Sequence, residues 1–134
     1  MNVISLDVYV CTPFSQSVGS NGTYSTCNIT LCGGEAVVAS VCTNGGVYTG
    51  DTTLALYDAN GNQVAFNDDS LSCGMDAIGS SLVYTPQSTA VCGIYMLRQY
   101  CYVGTACSGT TAVEVMQISL SPTYFPSSKY CYFP

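Results

Sequence analysis

Histidine is absent from this sequence, which removes the commonest general base and the commonest metal ligand together. No Ser–His or Cys–His nucleophile can be assembled, and zinc hydrolase chemistry lacks its imidazoles. Nine cysteines remain, but no CxxC occurs, and Cys27 and Cys32 lie five positions apart, which is wrong for a zinc site. Such density reads as a disulfide framework in an oxidising compartment. The odd count leaves one thiol free or shared with another molecule. Eight acids formally admit a carboxylate pair for glycoside hydrolysis, which needs a separation of roughly 5–9.5 Å, yet most fall on turns and no cleft is implied. The residue types point away from an enzyme.

Asp51, Asn67, Asp68 and Asp69 carry the remaining metal chemistry. They are hard oxygen donors of the kind Ca2+ gathers, about 6–8 at a time. The same residues cap turns by hydrogen-bonding their own backbone, and the sequence leaves both roles open. No other cofactor is implied. Two N-glycosylation sequons, Asn21-Gly22-Thr23 and Asn28-Ile29-Thr30, favour N-linked glycans at Asn21 and Asn28, which would supply the solubility that charge does not.

Two cysteine pairings follow from the sequence. Cys101 and Cys107 flank a short glycine-containing turn between strands, a separation that brings antiparallel neighbours to disulfide distance. Cys42 and Cys73 would link the loops on either side of a central hairpin. The other five stay unassigned, with Cys11 and Cys131 the candidates for the odd thiol.

Charge narrows the partners. Arg98 and Lys129 stand against eight acids, a net charge of -6, and charged residues make up 7% of the chain against a usual share of roughly 25%. Nucleic acid is excluded, because neutralising phosphates needs clustered Lys and Arg. An anionic membrane surface is equally unsuited. No apolar run of about 18 residues exists to span a bilayer, and the opening MNVISLDVYVCT lacks the basic and long apolar regions of a signal peptide.

The elements that position these residues are strands. Helical periodicity is nearly absent, and Gly, Asn, Ser and Pro punctuate alternating apolar residues at short intervals. In the first segment Ile4, Leu6, Val8 and Val10 alternate with Ser5, Asp7 and Tyr9. A loop is expected over residues 15–25, strands over 28–31 and 35–42, and a glycine-rich loop over 43–50. Residues 52–57 and 62–66 make a hairpin around Asn60-Gly61, since Asn-Gly accepts the positive φ of tight turns. Strands are expected at 81–85, 93–100 and 110–120. The fold class is all-β: an antiparallel, jelly-roll-like β-sandwich of about eight strands, stapled by disulfides.

The run Gly50-Asp51-Thr52-Thr53-Leu54-Ala55-Leu56-Tyr57-Asp58-Ala59-Asn60-Gly61, continuing through Val64-Ala65-Phe66-Asn67-Asp68-Asp69, closely resembles the core motif of the bacterial pre-peptidase C-terminal domain family. Residues 81–86, 93–98 and 107–110 follow in the order and spacing of that family's further motifs. The resemblance spans about residues 27–115. It implies a jelly-roll-like sandwich of secreted proteins that serves secretion, attachment or assembly, and it permits calcium. The expected organisation is an extension strand at 1–10, a sandwich at 11–120 and an aromatic tail at 121–134.

The function expected is an extracellular structural glycoprotein, a subunit of a filament or surface assembly. Its head-to-tail homopolymer forms when an extended segment completes a neighbouring sheet. The assembly residues would be Ile4, Leu6, Val8 and Val10 of the donor strand, with Tyr130 and Tyr132 of the tail. The alternative is a secreted module that binds polysaccharide, matrix or protein through a tyrosine-rich face including Tyr100 and Tyr102.

Overall fold

The computed structural model describes residues 2–17, 23–75, 77–87 and 91–119. Its strands are β1 (Asn2–Val10), β2 (Phe14–Gln16), β3 (Ser25–Leu31), β4 (Glu35–Ser40), β5 (Val47–Gly50), β6 (Thr52–Tyr57), β7 (Gln63–Asn67), β8 (Ser81–Tyr84), β9 (Gly93–Cys101), β10 (Cys107–Thr110) and β11 (Ala112–Ser119), with one 3-10 turn at Leu71–Cys73. All pairings are antiparallel. They make two four-stranded sheets, β1-β11-β4-β8 and β3-β9-β6-β7, and a three-stranded sheet, β2-β10-β5. The expected all-β, disulfide-stapled sandwich is therefore the fold.

The alternation read from the sequence decides what the two larger sheets bury. Val37, Ala39, Leu82, Val113 and Val115 of the first meet Ile29, Leu31, Leu54, Leu56 and Leu97 of the second in a single core. Each such valine, leucine or isoleucine contributes roughly 1.5–3 kcal/mol when taken fully out of water. The small sheet joins the same core through Phe14 and Cys107.

Eleven strands replace about eight because the three of the small sheet are only three or four residues long. Two of them lie where loops are expected, and β10 is the Ser- and Gly-containing run Cys107–Thr110. These strands are set by their neighbours rather than by propensity. Gly50 shows why a glycine ends β5. Its φ is +77°, and a Cβ there would lie 2.3 Å from the carbonyl oxygen of Ala106, just before the neighbouring β10, so only glycine fits.

The hairpin between β6 and β7 turns through Asp58-Ala59-Asn60-Gly61. The Gly61 amide donates to the Asp58 carbonyl at 3.0 Å, and the Asp58 carboxylate accepts from the Asn60 and Asn62 amides at 2.9 Å each. Only Gly61 of the turn takes a positive φ, +85°, so this is a longer turn held by an Asp cap rather than a two-residue Asn-Gly turn.

Four disulfides join Cys11–Cys27, Cys32–Cys92, Cys42–Cys73 and Cys101–Cys107. Cys11 is not the odd thiol: it is buried and bonded to Cys27 of β3, in the other large sheet, just after β1 ends. Cys131 lies outside the described residues.

Candidate functional site

Three places among the described residues gather chemistry. The first is acidic. Asp51, between β5 and β6, and Asp68 and Asp69, just after β7, bring one carboxylate oxygen each within 4.8 Å of one another. Hydrogen bonding fixes this loop. Ser80 Oγ lies 2.6 Å from the carbonyl oxygens of both Thr52 and Asp68, and the Thr53 hydroxyl donates to Asp68 Oδ1 at 3.4 Å.

Burial, then the charge of Asp68 and Asp69, raises the pKa of Asp51; burial, then Asp69, raises that of Asp68. Asp51 Oδ1 is sealed from solvent without a hydrogen-bond partner. Like charges held this close favour either a shared proton or a cation. The chemistry of the donors therefore fits a hard ion such as Ca2+. Asn67 is the exception among the four expected ligands: its Oδ1 accepts the Ser81 amide at 3.0 Å, so it anchors β8 instead.

The second place is aromatic. Tyr24 stands just before β3 and Tyr57 ends β6, and these strands flank β9. Between them the Arg98 guanidinium carbon sits 4.4 Å from the Tyr24 ring centre and 4.1 Å from that of Tyr57. A cavity of about 240 Å3 opens beside it, lined also by Thr23, Tyr100, Cys101 and Val103. Tyr100, expected on a binding face, lines this hollow; Tyr102 is exposed beyond it. The sequence reading missed Tyr24, Tyr57 and Arg98, although Tyr57 and Arg98 occupy outward positions of their strand patterns.

The third place is the edge strand β1. Val3, Ile4, Leu6, Val8 and Val10 are 47–57% exposed. They do not share one face, contrary to the expected alternation, because the register slips between Ser5 and Asp7. This bulge leaves Leu6 unpaired and reverses the alternation beyond it. Val8 and Val10 oppose Glu114 and Ala112 on the outer face, whereas Ile4 opposes Gln117 on the side of Val113 and Val115. Leu6, Asp7 and Tyr9 line a groove of about 320 Å3 shared with Asn28, Thr30, Cys32, Glu35 and Val115.

Asn28, the second sequon, is exposed on β3 at the rim of this groove. Asn21, Tyr130 and Tyr132 lie outside the described residues. No helix among the described residues is long and apolar enough to cross a membrane. No protein-family model, no curated protein and no solved structure matches the chain.

Proposed function

We propose that this chain is an extracellular structural subunit, glycosylated at Asn28, that joins copies of itself through β1 into a filament or surface assembly. The observation that carries the reading is the exposure of β1. An edge strand of nine residues presents apolar side chains on both faces and carries neither lysine nor proline; the bulge at Leu6 and the charge of Asp7 are its only guards against pairing. Val83 of β8, at the opposite edge of the same sheet, is a second exposed apolar side chain, 64% exposed.

In the single chain β1 ladders onto β11 from Asn2↔Ser119 to Val10↔Ala112. The same register would serve the β11 of a neighbour, with Cys11–Cys27 as the fixed root of the exchanged arm. Exchange of that kind made head to tail, rather than reciprocally within a pair, gives a filament. Four disulfides support an oxidising, non-cytoplasmic setting. Likeness to the pre-peptidase C-terminal domains belongs to this proposal, as do the absence of catalysis and Ca2+ at Asp51, Asp68 and Asp69.

Negative-stain microscopy and a size distribution of the natively secreted protein, before and after reduction, test the reading. Regular fibres that Val8→Lys abolishes without unfolding the subunit support it. A clean monomer of the chain's 14.1 kDa plus glycan refutes it. The second reading, a secreted binding module, is favoured by one feature: the tyrosine hollow around Arg98.

A further inference from the structure

We propose that the hollow around Arg98 binds a carboxylated sugar ring, of the kind found where uronic residues punctuate a mostly neutral polysaccharide. It needs no contact between copies, so it stands whether or not β1 mediates assembly. Arg98 is the one cation among the described residues; the other basic residue of the sequence is Lys129. Among those residues it stacks on two rings and pairs with no carboxylate.

Its Nε is sealed and lacks a hydrogen-bond partner, an uncommon state for a charged group away from water. The rings of Tyr24 and Tyr57 both present their faces to the guanidinium carbon. The donors left for a ligand lie in its plane, where their fork matches the two oxygens of a carboxylate.

Size and lining select the rest of the ligand. The cavity of about 240 Å3 falls below the roughly 300–1,000 Å3 of sites for drug-sized molecules, which suits one ring. Three tyrosines in its wall offer apolar ring surface beside hydroxyl groups, the pairing of properties that a sugar presents in return. Burial, then Tyr57 and Asp68, raises the pKa of Tyr100 against the opposing pull of Arg98, so its hydroxyl keeps its proton and can donate. The net charge of -6 repels a dense polyanion and so favours a ligand with sparse carboxylates.

The test titrates the intact protein calorimetrically with methyl glucuronide, with methyl glucoside as its neutral twin, and with an N-acetylated tripeptide as a carboxylate without a sugar. The glucuronide is expected to bind at least tenfold more tightly than either control. Arg98→Lys is expected to weaken it roughly ten- to a hundredfold, the worth of a charge-assisted hydrogen-bond pair. Tyr24→Ala, at an exposed position, should weaken binding while leaving the circular dichroism spectrum unchanged, which separates loss of the site from loss of the fold. No binding of the glucuronide, equal binding of the glucoside or the tripeptide, or full affinity in Arg98→Lys would overturn the proposal.

Discussion

Gln99 and Thr111 meet through a 2.6 Å hydrogen bond in which the Thr111 hydroxyl donates to the Gln99 carbonyl oxygen, both side chains being fully buried. The Gln99 amide nitrogen in turn donates to the Thr12 carbonyl at 3.3 Å. One side chain on β9 thus ties the segment after β1 to the junction of β10 and β11, where the small sheet meets the large ones.

Replacing Gln99 with leucine keeps the volume but leaves the Thr111 hydroxyl and the Thr12 carbonyl without their partner. A buried polar group left unsatisfied costs about 1–3 kcal/mol. Gln99→Leu is therefore expected to lower stability by about 2 kcal/mol in urea unfolding, with an unchanged m-value. A neutral or stabilising outcome would show that water replaces the amide.

The bond between Cys11 and Cys27 closes a loop of sequence separation 16. Chain entropy for a loop of that length corresponds to about 3 kcal/mol. The double variant Cys11→Ala/Cys27→Ala should lose about that much stability in denaturant titration. It should also raise hydrogen exchange in β1 above that in β4, since the root of the strand is no longer fixed.

Asp51 and Asp68 give a pH dependence with a definite sign. Their folded-state pKa values are raised above the unfolded value of about 3.9, so the folded chain holds more protons in the window between. Stability therefore falls as pH rises through that window and stays lower above it. Asp68→Asn should be more stable than the parent at pH 7, and the difference should vanish near pH 3. With Ca2+ bound at the cluster, millimolar calcium at pH 7 would raise the melting temperature of the parent and not of the variant.

Asn28 is exposed beside the β1 groove, so a glycan there meets no steric bar from the fold. Peptide mapping of secreted protein should find it occupied, and Asn28→Gln should remove that mass without lowering the yield of folded chain. A bare Asn28 in an oligosaccharide-competent host would contradict the assignment.

What the sequence disclosed was local. The hairpin at Asp58–Asn62 and the strand character of β4, β6, β9 and β11 follow from turn residues and alternation within a few positions. What it withheld depends on partners distant in the chain. Leu6 looks like one more member of an alternating row until β11 imposes a register that skips it. Tyr24, Tyr57 and Arg98 carry no shared motif and meet only because β3 and β6 both flank β9. Asn67 stands next to two clustered acids, yet its carbonyl is taken by the Ser81 amide, a contact across 14 residues. Val47–Gly50 reads as loop because a four-residue strand with a terminal glycine has too little pattern to declare itself.

The positions of the four disulfides also decide how this molecule wears. A single peptide bond cut between Cys11 and Cys27, between Cys32 and Cys92, or between Cys101 and Cys107 leaves both pieces covalently joined. From Cys11 to the end of β11, the stretches where one cut would part the chain fall almost wholly within strands β3, β9, β10 and β11, whose laddered backbone a protease cannot readily draw into its cleft. Ahead of Cys11, β1 lies outside every disulfide loop, but it too is laddered, along β11. Among the described residues, a single cut in most of the chain that is not laddered should therefore leave the pieces joined, so that nicked and intact molecules separate only after reduction.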